Sequence, residues 1–129
     1  MVDPGLEPDE ILRYLDEQKL VPAAILITHG HSDHIAGNEA LKERFPDCPI
    51  VISHGDEAKL TDPMLNLSGA FGAHLVSPGA DVLVGEGDVY SAAGMDFEVR
   101  EVPGHSSGHV VFIWNAGKPI VVFGGDVLF

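Results

Sequence analysis

Residues 28–34 read Thr28-His29-Gly30-His31-Ser32-Asp33-His34, which places three histidines and one aspartate within six positions. Imidazole and carboxylate groups are the side chains with which proteins bind zinc and related ions. The apolar run at residues 23–27 comes directly before this stretch, and a predicted helix beginning at Asn38 follows it. Ligand sites of open α/β sheets lie at the carboxyl ends of strands. The sequence therefore predicts a metal-binding loop at the end of a buried strand.

The spacing inside this loop divides its ligands into two pairs. His29 and His31 are two residues apart, and side chains at positions i and i+2 of extended backbone point the same way, so both reach one ion. Asp33 and His34 follow on the turn toward the next helix and face a different point. One loop can thus serve two neighbouring metal positions.

Two glycine-rich corners later in the chain carry further metal-binding side chains at strand ends. The first spans residues 103–109 and contains His105, a third imidazole for the first metal position. The second is Gly124-Gly125-Asp126, whose carboxylate either reaches the second position or bridges both. His109 either lies beside the site or closes its own turn. Two other histidines are predicted to be structural or surface residues: His54 and His74.

The pattern along the chain predicts helices, buried strands and then antiparallel strands, a mixed α/β (α+β) class. Helices are predicted at residues 8–20 and 38–45, with a short one at 56–60. Strands are predicted at residues 23–28, 49–53, 82–84, 88–90, 95–102, 110–114 and 119–123, with Ala93-Gly94 as a hairpin turn. This order favours two packed sheets with helices outside, in one domain spanning residues 1–129.

Residues 61–78 are predicted to form a long surface loop, because proline and glycine interrupt any periodicity there. Long ordered loops in compact domains are often functional. Four apolar residues of the loop form part of a pocket wall or, alternatively, pin the loop to the core: Leu65, Leu67, Phe71 and Leu75.

Composition excludes several partners. The formal charge of −13 disfavours binding to the phosphate backbone of nucleic acids or to anionic lipid surfaces. No apolar run has the length of a membrane span. A single cysteine, Cys48, excludes an intramolecular disulfide, and together with the lack of a signal peptide it favours a cytoplasmic location.

A metal site of this kind supplies a hydroxide near neutral pH, because zinc lowers the pKa of bound water to about 7. Iron and manganese suit the same ligands. Asp33 can orient that hydroxide and accept its proton. The chemistry predicted is hydrolysis of an activated acyl or phosphoryl group of a small-molecule substrate, without a covalent intermediate.

Taken in order, these motifs resemble the metallo-β-lactamase superfamily. Residues 28–34 followed by Gly37-Asn38 are similar to its H-x-H-x-D-H signature, and the two glycine-rich corners are similar to its next ligand motifs. The strand end Asp3-Pro4-Gly5 matches the segment before the first helix of the family. The resemblance implies an αββα four-layer sandwich. It also implies that His29, His31 and His105 bind one metal, that Asp33 and His34 bind a second, and that Asp126 bridges them.

Two shorter segments, Asn66-Leu67-Ser68-Gly69 and Gly125-Asp126-Val127-Leu128-Phe129, resemble the glyoxalase II-type hydrolases. That likeness implies a binuclear zinc enzyme acting on thioesters such as hydroxyacylglutathione. Alternatives are a mononuclear-iron enzyme similar to persulfide dioxygenases, and a non-catalytic metal-binding module or inactive fragment. Asp126 stands where many zinc β-lactamases carry cysteine, which disfavours antibiotic hydrolysis. The family places a further histidine ligand beyond Asp126, so the sequence is expected to be a fragment that lacks the opening strands and the C-terminal half.

Overall fold

The computed structural model describes residues 1–128, and Phe129, the last residue of the second segment that resembles the glyoxalase II-type hydrolases, lies outside the described part. The helices are α1 (Pro8–Gln18), α2 (Ser32–Ile35) and α3 (Asn38–Arg44), with 3₁₀ turns at Glu57–Leu60 and Gly69–Phe71. The strands are β1 (Ile25–Leu26), β2 (Ile50–Ser53), β3 (Val82–Val84), β4 (Val89–Ala92), β5 (Met95–Glu101), β6 (Val110–Trp114) and β7 (Val121–Phe123).

The first sheet is parallel, with strand order β1-β2-β3. Its central strand β2 is buried along its whole length, as expected for a continuous apolar run covered on both faces. Val2 extends this sheet by a parallel bridge to Leu26, which confirms the strand end predicted before Pro4.

The second sheet is antiparallel, with strand order β4-β5-β6-β7. The hairpin between β4 and β5 turns at Ala93 and Gly94, whose φ angles of 53° and 74° suit a type I′ turn. Along β5, Phe97 and Val99 are buried while Arg100 is exposed, the alternation expected of a strand with one face against the core.

The fold has three layers, the helices, the parallel sheet and the antiparallel sheet, and one apolar cluster lies between each pair of neighbouring layers. In β1 and β2, residues of one face pack against the helices, and residues of the other face pack against the second sheet, because strand side chains alternate. The helix-facing cluster includes Leu15, Ile27, Ile35, Leu41 and Ile52. The cluster between the sheets includes Leu26, Val51, Val84, Val99 and Phe112. Residues 1–128 thus form the helix, sheet and sheet layers of the predicted sandwich.

Two local predictions needed correction. The first helix ends at Gln18 rather than residue 20, because Lys19 adopts left-handed backbone (φ 54°) and the Leu20 amide donates to the Leu15 carbonyl at 2.8 Å. Leu20 is consequently exposed. The short helix α2 was not predicted, because four residues are too few to show a period. Within the described residues, no helix is both long and apolar enough to cross a membrane.

Candidate metal centre

Three loops meet at one edge of the two sheets. The first, residues 28–34, follows β1; the second, residues 103–109, joins β5 to β6; the third, residues 124–126, follows β7. The first two are joined directly, because the Val110 amide donates to the Thr28 carbonyl at 2.9 Å. The tertiary structure thereby brings together ligands that lie almost a hundred residues apart in the chain.

His29, His31 and His105 form the first group of possible ligands. One nitrogen of each ring lies within 4.8 Å of the others. His31 Nδ1 and His105 Nε2 are 3.0 Å apart. His29 is fully buried, His31 is partly buried and His105 is exposed, so the group opens from the core toward solvent. The expected convergence of two imidazoles spaced at i and i+2 is present.

A second group consists of His29, His34 and Asp126, again with ligand atoms within 4.8 Å. His34 Nε2 lies 3.3 Å from Asp126 Oδ1, and His105 Nε2 lies 3.2 Å from Asp126 Oδ2. The two carboxylate oxygens therefore face different groups, as a bridging carboxylate would. Asp33 lies at the rim, with Oδ2 3.7 Å from His34 Nε2 and a side chain that is 60% exposed. Metal binding by Asp33 stays a prediction.

The donor set fits a divalent metal ion. The Thr28 hydroxyl donates to Asp3 at 2.7 Å and lies 3.2 Å from His29 Nδ1, so it can accept the Nδ1 proton. That arrangement leaves a lone pair on His29 Nε2, which is buried without a hydrogen-bond partner among residues 1–128. Burial, reinforced by the neighbouring histidines, lowers the pKa of His29 to about 2, so its imidazole is neutral, the form that binds metals.

Asp3 is a site residue whose role the sequence did not reveal. Its carboxylate accepts hydrogen bonds from the Thr28 amide at 2.8 Å and from His34 Nδ1 at 3.1 Å. Burial by itself lowers the pKa of His34, but the bond to Asp3 and the nearby carboxylates outweigh burial and raise it. A carboxylate bonded to the far nitrogen of a ligating histidine orients the ring. The available signal was that Asp3 ends a strand parallel to β1, at the same sheet edge.

His109 lies beside the site rather than only closing its own turn. It is buried, and its ring stacks on His29 with centroids 4.6 Å apart and an interplanar angle of 19°. Its Nε2 lies 3.0 Å from the Gly124 carbonyl oxygen, so the ring links the first and third loops. The two histidines predicted to be structural or surface residues, His54 and His74, are both exposed.

The loop at residues 61–78 contributes a wall to a cavity beside the centre. Leu67 and Phe71 line this cavity together with His31, Asp33 and Asp126. The pocket-wall alternative therefore holds for these two residues. Leu75 instead packs against the helix-facing core cluster, and Leu65 is exposed.

The sequence model of the metallo-beta-lactamase superfamily matches residues 1–129. The chain belongs to this superfamily. The hydroxyacylglutathione hydrolase of Prochlorococcus marinus (strain MIT 9312) is 34% identical over 129 residues, which are all of this chain and 45% of that relative. The chain thus spans under half the length of this curated relative.

Two solved structures are also similar to this chain. The BLEG-1 B3 metallo-beta-lactamase superposes with a TM-score of 0.91 at 34% identity, covering 99% of this chain and 61% of that one. TTHA1623 in a di-iron-bound form gives a TM-score of 0.80 at 35% identity, with the same coverages of 99% and 61%. The predicted fold class and the narrower resemblance to glyoxalase II-type proteins are confirmed.

Proposed function

We propose that this superfamily member carries the metal centre of a hydrolase acting on thioesters of the hydroxyacylglutathione type. The observation that carries the proposal is the convergence of two ligand groups that share the buried His29, with the Asp126 carboxylate between them. Support for the substrate class comes from the relative named hydroxyacylglutathione hydrolase.

In this proposal, His29, His31 and His105 would hold one divalent ion, Asp33 and His34 would hold a second, and the Asp126 carboxylate would serve both. Zinc is the metal proposed, and the di-iron form of TTHA1623 makes iron the alternative. When bound, such ions lower the pKa of water and polarise a carbonyl oxygen.

The protein's own groups then have separate tasks. Asp3 holds the His34 ring in orientation through Nδ1. Asp33 lines the cavity with an exposed carboxylate, and in the proposal it accepts the proton that the attacking water loses. The apolar wall of Leu67 and Phe71 receives the substrate. Hydrolysis forms a carbon–oxygen bond at the thioester carbonyl, breaks the carbon–sulfur bond, and releases a carboxylic acid and a thiol.

A second candidate is hydrolysis of β-lactams, which is favoured by the likeness to BLEG-1, a B3 metallo-beta-lactamase of 34% identity. Both reactions open an acyl bond with water, so the same centre serves either. The leaving group differs: a thiol departs from a thioester, whereas the amine of a β-lactam stays attached to the product.

The test combines metal analysis with two substrates. The chain is purified with zinc or with iron, its metal content is measured, and release of glutathione from lactoylglutathione is compared with opening of a chromogenic cephalosporin. Thioester cleavage that a chelator abolishes and zinc restores is the expected result. A folded protein that takes up metal and cleaves only the cephalosporin would replace the first candidate with the second.

His31→Ala tests the proposed ligand set directly, because it removes one possible ligand. His54→Ala is its control, because His54 is exposed and lies outside both ligand groups. His31→Ala should lose bound metal and turnover together, whereas His54→Ala should keep both. Equal metal content and activity in the two variants would contradict the proposed ligand set.

A further inference from the structure

A buried carboxylate lies behind the metal centre and contacts two of its loops. Asp56 is fully buried at the start of the first 3₁₀ turn. Its Oδ2 accepts hydrogen bonds from the Gly30 amide at 2.9 Å and from Ser106 Oγ at 2.5 Å. Its Oδ1 accepts from the Gly108 amide at 2.7 Å and from Lys59 Nζ at 2.5 Å. One side chain is therefore bonded to the first loop and to the second.

Two of the positions bonded to Asp56 adjoin ligands of the first group. Gly30 lies between His29 and His31, and Ser106 directly follows His105. Two of the bonds to Asp56 thus act within one residue of a possible ligand, one through the Gly30 backbone amide and one through the Ser106 side chain. The third loop, which carries the shared carboxylate, donates no hydrogen bond to Asp56 among the bonds described.

Both the shape and the charge of the Asp56 side chain are needed to accept hydrogen bonds from the two loops at once. An ionised carboxylate only accepts hydrogen bonds, and here five donors surround it, the fifth being Ser107 Oγ at 3.4 Å from Oδ1. An asparagine in its place would turn its NH₂ group either toward the Gly30 amide and Ser106 or toward the Gly108 amide and Lys59. Either orientation sets a donor against donors. Lys59 also balances the buried charge, which would be costly without a partner.

The two loops are also in close backbone contact at this point. A methyl group added to Gly108 would lie 2.5 Å from the Asp56 nitrogen, because the second loop crosses the turn after β2 with no side chain between them. Ser53 Oγ donates a further hydrogen bond to the Gly108 carbonyl oxygen. The spacing between the loops is therefore determined by contacts around Asp56.

We infer that Asp56 is a positioning residue that determines how tightly the group of His29, His31 and His105 binds its metal ion, because it holds both ligand loops at one spacing. The inference rests on the proposed metal centre. Substitutions of residues that orient metal ligands cost about 10–100-fold in metal affinity. The same loss is expected for Asp56→Asn at the zinc site formed by His29, His31 and His105.

Asp81→Asn is the matched control. Asp81 also accepts a backbone amide, that of Ile50 at 2.8 Å, and a lysine ammonium, that of Lys42 at 3.1 Å. It lies before the start of β3, at the opposite end of the parallel sheet from the ligand loops. Loss of its charge should cost stability in a similar way without changing zinc affinity.

The experiment is calorimetric titration of the metal-free chain with Zn²⁺ alone, with urea unfolding of each variant as the measure of folding. The expected result is a dissociation constant raised about 10–100-fold in Asp56→Asn and unchanged in Asp81→Asn. Equal affinities in two folded variants would overturn the inference while leaving the proposed function standing. If the unsubstituted chain bound no zinc, both would fail.

A second variant tests the same inference with less disturbance to folding. Ser106→Ala removes one of the bonds to Oδ2 and leaves the carboxylate with its two backbone amides, Lys59 and Ser107. Should Asp56→Asn fail to fold, Ser106→Ala is expected to weaken zinc binding by about tenfold. An affinity equal to that of Asp81→Asn would refute the positioning role.

Discussion

Replacing Gly108 with alanine tests directly whether the two ligand loops are held together by backbone contact. The added methyl group would lie 2.5 Å from the Asp56 nitrogen, and the Gly55 backbone is also in its way. Ordinary contact begins at 3.4 Å. Because these neighbours are backbone atoms, no side chain can rotate aside to make room. The second loop must move away by about 1 Å to restore ordinary contact with its nearest neighbour, the Gly55 backbone.

The cost of that movement follows from two contributions. Forcing an extra methyl group into a packed site costs about 1–3 kcal/mol. The displacement also weakens the bond from the Gly108 amide to Asp56, which is 2.7 Å long, and a hydrogen bond to a charged group contributes about 1.5–3 kcal/mol. A loss of about 3 kcal/mol in the free energy of unfolding is expected for Gly108→Ala.

Urea unfolding of Gly108→Ala and of Gly85→Ala measures this difference. In the control, the methyl group would meet Glu101 Oε1 at 3.7 Å and His54 Cδ2 at 3.8 Å, which are ordinary contacts with side chains. Gly85→Ala should therefore change the free energy of unfolding by no more than about 0.5 kcal/mol. Equal unfolding midpoints with equal slopes for the two variants would refute the close approach of the loops.

Three further predictions concern stability. Phe112→Ala should lower the free energy of unfolding by about 3–5 kcal/mol in urea, because Phe112 is fully buried between the two sheets, and a loss below 1 kcal/mol would contradict that packing. Leu67→Gly should raise the melting temperature, since Leu67 is partly exposed and its φ of 71° costs a non-glycine residue about 1–2 kcal/mol; a lower melting temperature would mean that its side chain matters more than its backbone. The hydrogen bonds of Asp56 outweigh the opposing effect of burial and lower its pKa from 3.8 to about 2, so its carboxylate contributes about 2 kcal/mol above pH 4. This contribution is lost as the pH falls toward 2. The difference between the unsubstituted chain and Asp56→Asn in acid unfolding should shrink over that interval, and a difference independent of pH would contradict it.

Much of the fold was readable from the sequence, because its strongest signals are local. The buried strand at residues 49–53 and the alternating strand at residues 95–102 were both identified by apolar pattern, and both formed with ends shifted by one residue. The predictions failed where the pattern was too short to show a period. The helix α2 is one case, and the end of α1, determined by the left-handed backbone of Lys19, is another.

The candidate ligands were also visible in the sequence, since histidines and aspartates at short spacing stand out wherever they fold. The supporting groups were not visible. Asp3 and Asp56 are ordinary acidic residues in the sequence, and each acquires its role only when segments at least 25 residues away pack against it.

The sequence by itself therefore determined which side chains are available to bind a metal, because ligand chemistry and the i, i+2 spacing in residues 28–34 are properties of a short stretch of chain. The tertiary structure alone decided that His105 and Asp126 reach the same point as His29, and that Asp56 holds two of the loops at one spacing. The physical reason is that such convergence depends on how the two sheets pack, and no local pattern encodes the distance between residues that far apart in the chain.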